Sequence, residues 1–207
     1  SPQQQARHPC FFAAPQLSIQ DQQQYPDWTW FCARERVMGL FTNLLSKYPI
    51  DPDRVYLIGG SMGGAGVWTI ANTYSSVFAA AVAASGWMVS ELNGQPSESV
   101  QALRHMPIWA FHGAKDLTIP VSAYWPDPAG SGWVAKADCG TVADLRRCGG
   151  FPIYTEYAWA GHCLGAGPYE TPAVVDWLMA QRRGQRVQAT PWITVTTPNV
   201  DGVLKTS

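Results

Sequence analysis

Charge is scarce in this sequence. Asp, Glu, Lys and Arg make up 14% of the 207 residues, and the formal net charge is −1. The few Lys and Arg residues build no extended basic cluster, so nothing here serves a nucleic acid or an anionic membrane surface. Long apolar runs are absent as well. The longest unbroken one is Val77 to Ala84, far short of the roughly 20 residues a bilayer-spanning helix needs. No C-x-x-C pair and no Cys/His cluster occurs, so nothing points to a zinc site. There are no internal repeats. No basic, then apolar, leader opens the chain at Ser1, which by itself says nothing about export.

What is present is apolar and aromatic. Hydrophobic residues make up 46% of the chain, and there are ten Trp, eight Tyr and seven Phe. This length and composition fit one globular domain with a sizeable core. The Trp content suits either ordinary packing or a pocket for a ring or a sugar. Five Cys, at 10, 32, 139, 148 and 163, form an odd set, so at least one is free or pairs between chains.

Cys10 to Pro15 is a short apolar run closed by proline and reads as a buried strand. Ser18 to Trp30 has no period and reads as a loop. Between Glu35 and Tyr48, the residues Val37, Leu40, Phe41, Leu44, Leu45 and Tyr48 recur at intervals that lay one apolar stripe along a helix. Pro49 ends it. Strands are predicted at Val55 to Ile58, Phe78 to Ala84, Ile108 to Phe111 and Ile153 to Tyr157. Helices are predicted after Ser61, at Val142 to Arg147 and at Val174 to Arg182. Strands apolar on both faces, alternating with helices, predict a mostly parallel sheet covered on both sides. Residues 1–184 read as the catalytic domain. Residues 185–207 read as an extension, either an edge strand at Trp192 to Thr196 or a linker.

The chemistry centres on Gly59-Gly60-Ser61-Met62-Gly63. A G-x-S-x-G turn between a strand and a helix is the context of a nucleophile elbow. Such a turn is tight enough to strain the serine backbone. Gly59 and Gly63 are expected to relieve the crowding. The helix that follows aims N–H groups at the same spot, which favours developing negative charge. A serine needs a base and an orienting acid. Asp116 follows the strand at 108–111, and His162 follows the strand at 153–157. Both therefore belong to the carboxyl end of the sheet, where Ser61 sits. His112 precedes the acid and reads as a structural hydrogen-bonding residue. Asp127, Asp138 and Asp144 lie further from a strand end. Cys163 reads as a small packing residue.

Ile50 to Leu57 together with Gly60-Ser61-Met62-Gly63-Gly64 resemble the phospholipase/carboxylesterase branch of α/β-hydrolases. That branch includes dienelactone-hydrolase-like and polyhydroxybutyrate-depolymerase-like esterases. Trp109 to Asp116, Tyr154 to Tyr157 with Gly161-His162, and Asp176 to Leu178 with Gln181 to Arg183 follow the same pattern. The resemblance covers about residues 1–183 and implies Ser61 as nucleophile, Asp116 as acid and His162 as base. It also implies strands and a His-Gly loop before the segment at Cys10, and that loop supplies one oxyanion donor. The expectation is thus an α/β-hydrolase fold short of its N-terminal strands, with half of its oxyanion hole, an open sheet edge and a homodimer as one way to cover it.

The expected protein is a serine carboxylic ester hydrolase that needs neither metal nor cofactor, with Met62 N–H in the oxyanion hole. Aryl esters, feruloyl esters and polyesters are the candidate substrates. Trp28, Trp30 and especially Trp87, which follows a predicted strand at the site's end, are the candidate pocket residues. The rivals are a peptidase or acyltransferase with the same triad, and a weak or inactive hydrolase-fold binding module. A Cys139–Cys148 disulfide is expected, in a protein that is exported, secreted or periplasmic.

Overall fold

The computed structural model describes residues 2–16, 18, 20, 31–91, 100–125, 133–165, 167–185 and 204–206. Trp28, Trp30 and the alternating stretch at 192–196 lie outside these residues.

The main sheet is built by β1 (Tyr56–Gly60), β2 (Ala80–Ala84), β4 (Ile108–Gly113) and β7 (Ile153–Tyr157). These four are parallel, in the order β1-β2-β4-β7. A short strand, β8 (Leu204–Thr206), adds antiparallel to β7. It is an edge strand within the C-terminal extension. Helices α2 (Phe31–Lys47), α3 (Met62–Thr73), α4 (Asp138–Arg147) and α6 (Pro172–Ala180) cover the sheet, with short helices α1 (Pro2–Arg7) and α5 (Gly167–Glu170) at its margins. No helix among the described residues is long and apolar enough to cross a membrane.

Strand alternation sorts the core into two layers. Ala81 and Ala83 of β2 and Ile108 and Ala110 of β4 face one layer, with Trp68, Leu103 and Leu145. Their neighbours Ala80, Val82, Trp109 and Phe111 face the other, with Trp177 and Leu178 of α6. This is why β2 reads as an unbroken apolar run, since both of its faces are buried. Alanine there lets helices approach closely. The bulk comes from β4 and α6, where Trp109 stacks on Phe111 at 5.3 Å and meets Trp177 edge-on at 5.4 Å.

Two features depart from the sequence expectation. The run Cys10 to Pro15 is not a buried strand. It is exposed and unpaired with any sheet, and Phe12 is 76% exposed. Phe11 packs its ring on Tyr48 of the loop after α2, 5.4 Å away. An apolar hexapeptide becomes a strand only if a sheet edge receives it, and here none does. The second departure is a small antiparallel sheet of β3 (Trp87–Glu91), β6 (Trp133–Ala137) and β5 (Tyr124–Trp125), in the order β3-β6-β5. It begins two residues beyond β2 and so rises from the carboxyl end of the main sheet. Its strands are short and far apart in sequence, a pattern that periodicity does not reveal.

Candidate active site

β1 runs into α3 through Ser61, whose backbone sits at φ 55°, ψ −122°. For a residue with a Cβ this is a strained conformation, costing on the order of 1–3 kcal/mol. It is held by Ser61 N–H donating to Ala84 O at 2.8 Å and by Ala65 N–H donating to Ser61 O at 3.0 Å. Ser61 occupies the N-cap position, yet its hydroxyl caps nothing. The strained backbone turns it instead toward His162. Gly59 is indispensable to this turn, because a Cβ there would lie 2.3 Å from Gly63 O. Gly63 does not have the role the motif suggests, since a Cβ at Gly63 meets nothing within 4 Å. On the helix side the crowding falls one residue later, at Gly64, where a Cβ would lie 2.9 Å from Ala84 O.

Three loops at the carboxyl ends of β1, β4 and β7 meet here. Ser61 Oγ lies 2.8 Å from His162 Nε2, and His162 Nδ1 lies 2.8 Å from Asp116 Oδ2. Asp116 is buried at 3% exposure, while the His162 side chain is 20% exposed. Asp116 Oδ1 accepts the N–H groups of Thr118 and Ile119 at 2.9 and 2.8 Å. With one oxygen fixed by backbone donors, the other is aimed at the imidazole. A carboxylate so bound favours the Nδ1–H tautomer and leaves Nε2 free to accept the serine proton.

The N-terminus of α3 abuts Ser61. Ala65 is the first residue to bond back into the helix, so helix geometry leaves the N–H groups of Met62 to Gly64 open. They direct partial positive charge at this spot. Trp87 is partly buried at the start of β3, two residues past Ser85.

Ser85 and Asp138 are the residues that sequence reasoning missed. Ser85 is buried, adopts φ 48° and donates its hydroxyl to His162 O at 2.9 Å. It therefore ties the end of β2 to the His162 loop. Asp138, set aside as distant from a strand end, lies fully buried under the site. It accepts Trp68 Nε1–H at 2.6 Å and Gly86 N–H at 2.8 Å. Asp138 Oδ2 also lies 2.9 Å from His112 Nδ1. The opposite nitrogen of His112 donates to Ile119 O at 2.8 Å and stands 3.3 Å from Asp116 Oδ2. Burial alone pushes the His112 ring below its ordinary value, but the hydrogen bond and charge of Asp138, the Ile119 carbonyl and the Asp116 charge outweigh it and raise it. The positive φ of a non-glycine Ser85 and the Trp68–Asp138 pairing depend on tertiary contacts and carry no local signature.

The cysteines also differ from expectation. Cys139 carries a free thiol, so no disulfide joins it to Cys148. Cys139 lies in the first turn of α4 and Cys148 directly follows its end, so the helix sets their separation. Burial raises both thiols above their ordinary value, which keeps them protonated and unreactive. Cys163 is exposed and is not a packing residue. Among the described residues, no group of three His, Cys, Asp or Glu side chains is placed to hold a metal.

Residues 33–124 match the phospholipase/carboxylesterase family. Among solved structures, the chain is similar to a thermostable esterase, with 29% identity and a TM-score of 0.68 over 88% of this chain and 47% of that one. It thus spans about half of that esterase's length. The acylaminoacyl peptidase of Pyrococcus horikoshii shares the fold, with 13% identity and a TM-score of 0.55 over 75% of this chain and 29% of that one. The acyl-protein thioesterase 2 of Zea mays matches with 22% identity and a TM-score of 0.48, over 80% of this chain and 69% of that one. No curated protein matches the chain significantly. Sheet order, elbow and matched segment give this chain the α/β-hydrolase fold. The segment that bears Ser61 is the one it shares with the phospholipase/carboxylesterase family.

Proposed function

We propose that the protein is a serine carboxylic ester hydrolase in which Ser61, His162 and Asp116 act as nucleophile, base and acid. The observation that carries this reading is the pair of 2.8 Å contacts from Ser61 Oγ through the His162 ring to Asp116 Oδ2. Ser61 Oγ attacks the acyl carbon while His162 Nε2 takes its proton. The developing oxyanion faces the α3 N-terminus, with Met62 N–H as its donor. His162 then protonates the leaving alkoxide, and a water activated by the same ring hydrolyses the acyl-enzyme. Asp116 holds the ring in the required tautomer and stabilises imidazolium throughout.

Aryl esters and polyesters are the substrates we propose. Met62 and Leu117, which adjoin Ser61 and Asp116 in sequence, and Trp159, three residues before His162, are apolar and open, at 43%, 93% and 42% exposed. Trp87 adds an aromatic face at the same end of the sheet. Flat or extended acyl chains suit such a rim better than small polar ones.

Ser61→Ala should lower turnover of a chromogenic short-chain ester by on the order of 10⁴–10⁶. The measurement is kcat on variant and parent with matched circular dichroism. Parent-like kcat in the variant would sink the assignment.

A further inference from the structure

Beneath the three residues just assigned lies a second imidazole that this mechanism does not use. His112 is fully buried, as are the side chains of Asp116 and Asp138 on either side of it. Its two nitrogens both face acceptors. Ile119 O can only accept, so Nε2 must carry a proton. Asp138 already receives the Trp68 indole N–H and the Gly86 N–H. Each of its oxygens is thus already an acceptor. Nδ1 must then carry a proton as well.

We propose that His112 is a buried imidazolium, held cationic by Asp138 and Ile119, that positions Asp116 and restrains the pull of that carboxylate on His162. The buried line then alternates in sign: Asp138 negative, His112 positive, Asp116 negative, and His162 at the exposed end. Asp116 Oδ2 is shared between two imidazoles, at 2.8 Å from His162 and 3.3 Å from His112. A fixed cation on one side of a carboxylate weakens its attraction for a second cation on the other side. It also repels that second cation directly. Both effects have the same sign. Both favour an imidazole that is ready to accept the serine proton. His112 is thus a positioning residue, because it touches the acid and not the reacting atoms.

Three of the titratable groups packed around this line carry no charge. Asp138 acts electrostatically on the phenols of Tyr154 in β7 and Tyr169 in α5 and on the Cys139 thiol of α4. Burial raises all three, Tyr169 to about 12, so each stays protonated and uncharged at neutral pH. Among the described residues, Ser61 is the other partner of the His162 ring.

The inference rests on the catalytic reading of Ser61, His162 and Asp116, so the test has one arm that needs no activity. In ¹⁵N-histidine-labelled wild-type protein, the His112 ring should show both nitrogens protonated at pH 7–8. A neutral tautomer there overturns the proposal whatever the enzyme does. The second arm compares wild type with His112→Gln, which keeps hydrogen-bonding capacity but cannot carry charge. The acid limb of kcat/KM should move up by about one pH unit, within the range a neighbouring charge produces, so that rates on that limb fall about tenfold. The plateau should change far less. A folded H112Q with an unmoved acid limb would overturn the positioning role, because loss of packing alone scales the rate without displacing its pH dependence. Should H112Q not fold, the wild-type spectrum decides the charge on its own. Absence of ester turnover in wild type would instead strike at the proposed function and leave the spectroscopic result standing.

Discussion

The two ends of this site are built by different physics. At the Ser61 end the backbone does the shaping. A strained serine, a glycine with no room for a Cβ and a helix N-terminus lie consecutively in sequence. At the Asp116 end the shaping is done by buried polar side chains from β4, α4 and α3, which lie tens of residues apart. The first is a local device and tolerates little change at a single residue. The second is a network, and each member's protonation and orientation depend on the others. A substitution in the first should abolish the geometry outright, whereas one in the second should show first as lost stability or altered pH response.

The sharpest break of this comparison is Gly59→Ala against Gly63→Ala. At Gly59 a methyl would sit 2.3 Å from a backbone oxygen, which no side-chain movement relieves. We expect loss of ester turnover by at least two decades, since displacing a reacting group by about 1 Å costs on that order. At Gly63 the same methyl meets nothing and replaces a helical glycine. Stability should rise by up to about 1 kcal/mol, read as a higher urea midpoint. Equal effects of the two variants would mean that the elbow is not shaped at its strand side.

Next in size is Asp138→Ala. It strips the acceptor from Trp68, Gly86 and His112 at once and leaves a buried cation facing no carboxylate on that side. Breaking a buried pair in this way costs about 3–5 kcal/mol. Denaturant unfolding of variant and parent measures it, and a loss under 1 kcal/mol would show that the Asp138–His112 pair carries no such charge.

This contrast also explains what could be read in the sequence. The turn at Gly59 to Gly63 and the four parallel strands were legible because strand, turn and helix signals are local. Ser61, Asp116 and His162 could be picked out because each follows a strand at the same end of a parallel sheet. Asp138 could not, because its role comes from meeting His112 and Trp68 across the fold, and in sequence it is one of three aspartates that lie away from a strand end. Ser85 was hidden for the same reason. The small β3-β6-β5 sheet escaped because its strands pair across long insertions. The Cys10–Pro15 segment was misread because an apolar run says nothing about whether a partner strand receives it.

A smaller effect is expected at Ser85, which links the two ends. Its hydroxyl fixes the carbonyl of His162, so it acts on the base through the backbone. Ser85→Ala should cost about 1 kcal/mol of stability, the worth of one hydrogen bond. It should lower kcat more than it raises KM, because a misaimed imidazole harms proton transfer and not substrate binding. A change confined to KM would remove Ser85 from the positioning of His162.

The subtlest effect is on stability as a function of pH, and its sign follows from His112. Against burial, the hydrogen bond and charge of Asp138, the Ile119 carbonyl and the Asp116 charge together hold the His112 ring above its ordinary value of 6.5. A group raised in the folded state binds its proton more tightly there than in the unfolded chain. Its contribution is therefore fully present below 6.5 and is lost as pH climbs from there through the higher folded value. One such group changes stability by at most about 1.4 kcal/mol per pH unit, so the slope is modest. Urea midpoints collected from pH 6 to 9 should decline in wild type and decline less in H112Q, which has no ring to titrate. The difference between the two curves isolates His112 from every other group that ionises in this window. Parallel curves would mean that His112 does not hold a proton preferentially in the folded protein, and the Asp116 end would then be a neutral hydrogen-bonded scaffold instead of an alternating line of charges.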